Sequence, residues 1–154
     1  CIALLSGCGN GNVNATAGGG TVKSTIKASS LTASQNVAVI QLTITLPVGV
    51  TPSLLSGSTE VDSAATVKVN SSAPSENNLV IATFHAATAL LTIAVTLPEG
   101  FSFTEQDQIT IQLNIEPGSY PKESDFPKEA FSFLAWDAGG EPVNLNPTYT
   151  TTIE

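Results

Sequence analysis

From residue 89 to residue 97 every second side chain is aliphatic: Ala89, Leu91, Ile93, Val95 and Leu97, until Pro98-Glu99-Gly100 interrupts. A period of two gathers those side chains on one face of a β-strand and would scatter them around a helix. Ala38, Ile40, Leu42, Ile44 and Leu46 repeat the pattern and stop at Pro47, with Gly49 and Pro52 marking the turn. Ile109, Ile111, Leu113 and Ile115 do so again, against Thr110, Gln112, Asn114 and Glu116, and stop at Pro117-Gly118. Proline cannot donate to a strand ladder, so each of these stops is a strand end.

Shorter stretches carry the same period. Val22, Ser24 and Ile26 alternate with Lys23, Thr25 and Lys27, whose lysines suit an edge strand. Ala65, Val67 and Val69 form one face of another strand; Val80, Ala82 and Phe84, and later Tyr149, Thr151 and Ile153, form two more. Residues 130–136 alternate Ala130, Ser132, Leu134 and Trp136 with Phe131 and Phe133, and either face can be the core. Val143 and Leu145 fit a short strand, residues 71–78 a loop, and only residues 51–56 and 123–129 have room for one helical turn each. The expectation is all-β: an antiparallel sandwich of eight or nine strands in one domain spanning residues 21–154. Two of the long strands echo each other, since Leu-Pro-x-Gly ends both the 42–49 and the 91–100 segments. A shared solution to strand termination explains that echo better than a duplication, because nothing else repeats at the same offset.

The N-terminal residues have a different character. Leu5-Ser6-Gly7-Cys8 follows the apolar run Cys1-Ile2-Ala3-Leu4. The tetrapeptide resembles a bacterial lipobox, which marks the cysteine that receives a diacylglycerol. On this reading residues 1–8 are a signal-peptide remnant and Cys8 is the lipidation site. The alternative keeps residues 1–7 in the mature chain, with a Cys1–Cys8 disulfide or with Ile2-Ala3-Leu4-Leu5 as a strand. Residues 9–20 are dominated by Gly and Asn and read as a flexible linker, with a root-mean-square span of about 20 Å. Gly9 in place of Asp after Cys8 favours, by resemblance to lipoprotein sorting rules, the outer membrane.

Charge narrows the function classes. The chain has 13 acidic side chains against 5 lysines and no arginine, a formal net charge of −8. Without the arginine fork that reads phosphates and base edges, and with the wrong net sign, nucleic acid is not an expected partner. The two cysteines lie in the N-terminal eight residues, so the expected domain has neither a disulfide nor thiol chemistry.

The core pattern resembles the cohesin and carbohydrate-binding-module group of jelly-roll sandwiches. It does so through Val39-Ile40-Gln41-Leu42-Thr43-Ile44-Thr45-Leu46-Pro47, Leu79-Val80-Ile81-Ala82-Thr83-Phe84, residues 90–97, and Ile109 through Tyr120, followed by Asp125-Phe126 and by Asp137 near Gly139. It also resembles cohesin-like lipoproteins of Gram-negative bacteria. The resemblance implies a binding or assembly module and no enzyme; cohesins bind their partners through a sheet face. No partner-contact residue carries over by motif.

Candidate chemistry is sparse. His85 is the one histidine, no nucleophile-elbow sequence accompanies it, and by alternation it lies opposite Phe84 on the outer or edge face. Zinc would need several ligands, which one histidine and two terminal cysteines do not supply. Glu60-Val61-Asp62 and Glu105-Gln106-Asp107 have oxygen ligands for Ca²⁺, although solvated loop acids are the simpler reading. Trp136, Tyr120 and Tyr149 would make a sugar-stacking platform if they shared an exposed face. Residues 21–31 either pair within their own sheet or are donated to a neighbour's edge.

These observations set the functional expectation: a non-enzymatic, lipid-anchored cell-surface sandwich, without cofactor, metal or catalytic residue. It would act in protein–protein assembly with a partner protein or with copies of itself, including a filament or sheath subunit joined by β-strand addition. The alternative is a carbohydrate-binding module with a polysaccharide ligand.

Overall fold

The computed structural model describes residues 19–70, 78–98 and 101–154. The expected lipobox with Cys8, all but two residues of the expected linker, residues 71–77 of the expected 71–78 loop, and residues 99–100 lie outside the described residues.

The fold is an all-β sandwich of antiparallel sheets. Among the described residues eleven strands are formed in the order β1 (Thr21–Lys27), β2 (Gln35–Asn36), β3 (Val39–Thr45), β4 (Val50–Pro52), β5 (Val67–Asn70), β6 (Leu79–His85), β7 (Leu90–Thr96), β8 (Ser102–Phe103), β9 (Gln108–Ile115), β10 (Phe131–Trp136) and β11 (Thr148–Ile153). Strands β2, β4 and β8 are two or three residues long, which leaves eight of four residues or more. One sheet runs β11-β1-β9-β4, with β5 also on β9; the other runs β10-β3-β7-β6; β2 and β8 form a separate ribbon.

The alternating side chains meet between the two main sheets. Ile40, Leu42 and Ile44 from β3, Leu91, Ile93 and Val95 from β7, and Ile109, Ile111 and Leu113 from β9 are all buried in one cluster. Burial of such a side chain contributes roughly 1.5–3 kcal/mol. The two echo strands β3 and β7 are neighbours at the centre of the four-stranded sheet, with Leu42 opposite Ile93. On β10 the register sets Phe131, Phe133 and Ala135 opposite Ile44, Leu42 and Ile40, so the phenylalanine face is the core face and Leu134 and Trp136 point outward. After β3, Gly49 has φ +77°, and a Cβ there would collide with the Ser119 side chain; both demand glycine.

Several sequence expectations change. The 21–31 segment is not a loose arm: β1 pairs along its whole length with β9 on one side and β11 on the other. Residues 51–56 do not form a helical turn, because Val50–Pro52 pairs with β9 instead. Among the described residues the single α-helix, α1, is Ser63–Thr66, in a stretch that the alternation of Ala65 and Val67 assigns to a strand. Asp62 caps it, its carboxylate accepting from the Ala65 N–H at 3.0 Å. Residues 123–129 do turn, as two 3₁₀ segments, Glu123–Asp125 and Lys128–Ala130. Val143 and Leu145 form no strand, although Leu145 is buried in the core.

Candidate functional site

The outer face of the β10-β3-β7-β6 sheet is built by the same alternation that builds the core. Its side chains lie in rows across the four strands: Trp136, Val39, Thr96 and Leu79; then Leu134, Gln41, Ala94 and Ile81; then Ser132, Thr43, Thr92 and Thr83. Thr45, Leu90 and His85 close the face at one end. Leu79, Ile81 and Leu134 are 58%, 54% and 50% exposed, values that place three large aliphatic side chains in water on one sheet. Trp136, Val39 and Ala94 around them are part-buried. No Asp, Glu, Lys or Arg occurs in any of these rows. The opposite outer face differs in kind. There Lys23 and Lys27 of β1 and Lys68 of β5 point outward, three of the chain's five lysines.

The apolar patch was only half visible in the sequence. Alternation puts Leu134 and Trp136 on one face of β10 without deciding which face is the core. Leu79-Val80-Ile81 is apolar on both sides of its strand, and that doubled apolarity is the signal for an outward patch.

The aromatic side chains do not form a common platform. Trp136 lies on the outer face of the four-stranded sheet, and its strand end is bridged to Pro142. Tyr149 is on β11 in the other sheet, paired with the core residue Ile26. Its ring stacks on Phe131 with centroids 4.7 Å apart and planes at 28°. Burial pushes its phenol pKa up from the usual 10.0. Tyr120 follows β9 in a loop and is 62% exposed.

The acidic clusters cap backbone. Asp107 is buried and its carboxylate accepts from the Thr104 N–H at 2.7 Å and from the Thr104 hydroxyl at 2.8 Å. Glu105 accepts from the Leu31 N–H at 2.8 Å, and Asp62 caps α1. Among the described residues no three His, Cys, Asp or Glu side chains gather as a metal-binding group. His85 is exposed, with its Nδ1 3.1 Å from the Thr88 hydroxyl. A groove of about 490 Å³ lies elsewhere, between β11 and the 3₁₀ segments, lined by Glu123, Phe126, Lys128 and residues 147–151. It contains neither histidine nor a paired carboxylate.

No family model, no curated protein and no solved structure matches this chain.

Proposed function

We propose that this protein is a non-enzymatic, lipid-anchored surface module that works in protein–protein assembly through the outer face of the β10-β3-β7-β6 sheet. The observation that carries the reading is the charge-free face with Leu79, Ile81 and Leu134 half in water, on a chain of net charge −8. Large aliphatic side chains exposed on one charge-free sheet face mark a candidate protein interaction surface, here as two apolar groups at the β10 and β6 sides with Gln41 and Thr96 between them. A flat sheet face recognises another flat or helical apolar surface by area and fit, without charge steering. In this proposal Cys8 receives the lipid, residues 9–20 are the tether, and the sandwich faces outward from the outer membrane. The cohesin-like jelly-roll resemblance points the same way. Assembly of copies by β-strand addition into a filament or sheath belongs to the same proposal, with β1 kept in its own sheet.

The test uses Ile81→Lys/Leu134→Lys. Both positions are exposed, so the variant keeps its fold. It should lose the cross-linked partner that the wild-type chain gives in its native envelope. An unchanged cross-linking pattern would sink the reading. Intact mass tests the anchor separately: the mature chain should begin at Cys8 with added acyl mass. The carbohydrate reading retains one supporting observation, the part-exposed Trp136 beside the Thr and Gln side chains of the same face. It requires Trp136→Ala to abolish binding to an isolated polysaccharide.

A further inference from the structure

Among the described residues, β11 is the outermost strand of its sheet and pairs only with β1. Thr21 and Glu154 exchange both backbone hydrogen bonds, each at 2.9 Å. Alternation along an antiparallel ladder therefore turns Thr148, Thr150 and Thr152 toward β1, and aims the N–H and C=O groups of Tyr149, Thr151 and Ile153 away from the sheet. No described residue bonds those outward groups. Other edges are partly covered. The outward Ala82 N–H of β6 donates to the Ser63 hydroxyl at 2.9 Å, and the Ala135 carbonyl of β10 accepts from the Val143 N–H at 2.8 Å. The sequence protections of an edge are missing from β11, since Thr-Tyr-Thr-Thr-Thr-Ile has no proline, no lysine and no other charge, although the 3₁₀ segment Glu123–Asp125 packs near it across the groove.

We infer that β11 is a self-pairing edge whose occupant is the β11 of a second copy, antiparallel and centred on Thr151. This rests on the assembly reading and names one partner for it. The register is self-complementary. Tyr149 meets the second copy's Ile153, the two Thr151 residues meet each other, and about six main-chain hydrogen bonds close. Charge fits as well. Glu154 of one copy falls opposite Thr148 of the other, on the same outer face. Thr148 has Lys27 beside it in β1, and Lys128 lines the adjoining groove. Among the described residues lining that groove Glu123 is the one carboxylate and Lys128 the one ammonium group, so Lys27 beside Thr148 tips the balance toward an incoming Glu154. The groove opens along residues 147–151, where the C-terminal half of the second copy's β11 would run. The isologous contact would fuse two sheets into one continuous sheet.

The test uses the full chain with Cys1→Ser and Cys8→Ser, which removes both native thiols and any acyl group. Thr150 and the second copy's Thr152 become directly opposite, with Cα atoms about 4.5 Å apart, inside disulfide range. Mixed Thr150→Cys and Thr152→Cys chains should cross-link at least about tenfold faster than either alone, since a chain's own position is then offset by two residues. In sedimentation, the Cys-free chain should be dimeric at high micromolar concentration. Thr150→Lys/Thr152→Lys, both exposed, should be monomeric with an unchanged circular dichroism spectrum, because like charges then sit opposite each other. A monomeric Cys-free chain, or equal cross-linking of mixed and single chains, would overturn the edge pairing. A dimer lost in Ile81→Lys/Leu134→Lys and kept in Thr150→Lys/Thr152→Lys would overturn it too, while leaving the assembly reading intact. Conversely, the edge dimer together with unchanged envelope cross-linking in Ile81→Lys/Leu134→Lys would support the pairing and reject the sheet face.

Discussion

Two buried hydroxyls show how differently similar side chains are treated in this core. Ser24 is buried on β1, and its oxygen lies 2.9 Å from the Thr151 hydroxyl on β11. Thr66 in α1 is equally buried, yet its hydroxyl has no partner among the described residues. An unmade buried hydrogen bond costs roughly 1–3 kcal/mol, and valine has the same shape without that cost. Thr66→Val should therefore raise the stability measured by urea unfolding by up to about 1 kcal/mol. Tyr149 gives a pH-dependent prediction. Its pKa is raised in the folded chain by burial, so its contribution is complete below the unfolded value of 10.0 and is lost as pH climbs above it. Tyr149→Phe should flatten that alkaline fall in a stability–pH series, and an unchanged slope would assign the fall to other groups. For the longer strands alternation resolves the two faces but not always which one is buried. On β10 the choice between Phe131/Phe133 and Leu134/Trp136 is between two apolar sets, and only pairing with Leu42 and Ile44 decides it.

Strands long enough to show alternation are legible in the sequence. β3, β7 and β9 appear where Pro47, Pro98 and Pro117 delimit them. β2, β4 and β8 are not, because two or three residues hold no period. The helix α1 was missed for a related reason: four residues cannot display a 3.6-residue repeat, and Ala65, Val67 and Val69 mimic a strand across its end. The partner of β1 was undecided because lysines on one face mark an edge-like strand without saying whose sheet holds it. In the fold, Val22, Ser24 and Ile26 are buried, so β1 is an inner strand by packing as well as by pairing. The β3–β7 pair should dominate stability. Leu42→Ala and Ile93→Ala, at fully buried and directly paired positions, should each cost about 2–5 kcal/mol. The double variant should depart from additivity by about 0.5–3 kcal/mol, because the two sites share one cavity. Additive losses would show that the two strands are not packed in this register.

Across the whole molecule the two outer faces divide the chemistry. Lysines are concentrated on the face of the sheet containing β1 and β5, while the rows of the other sheet carry no acidic or basic side chain apart from His85. Composition alone could not reveal that division, since a net charge of −8 says nothing about where charge is absent. It emerges only when Leu134 of β10 and Leu79 and Ile81 of β6, distant in sequence, are brought onto one surface by β3 and β7. The measurement that tests the assembly role most directly is hydroxyl-radical footprinting of Leu134, Ile81 and Trp136 in the native envelope and in the purified chain. An assembly role through this face predicts strong protection of these three side chains in the envelope, with Tyr120 labelled equally in both. Equal labelling of all four side chains in the two samples would contradict it.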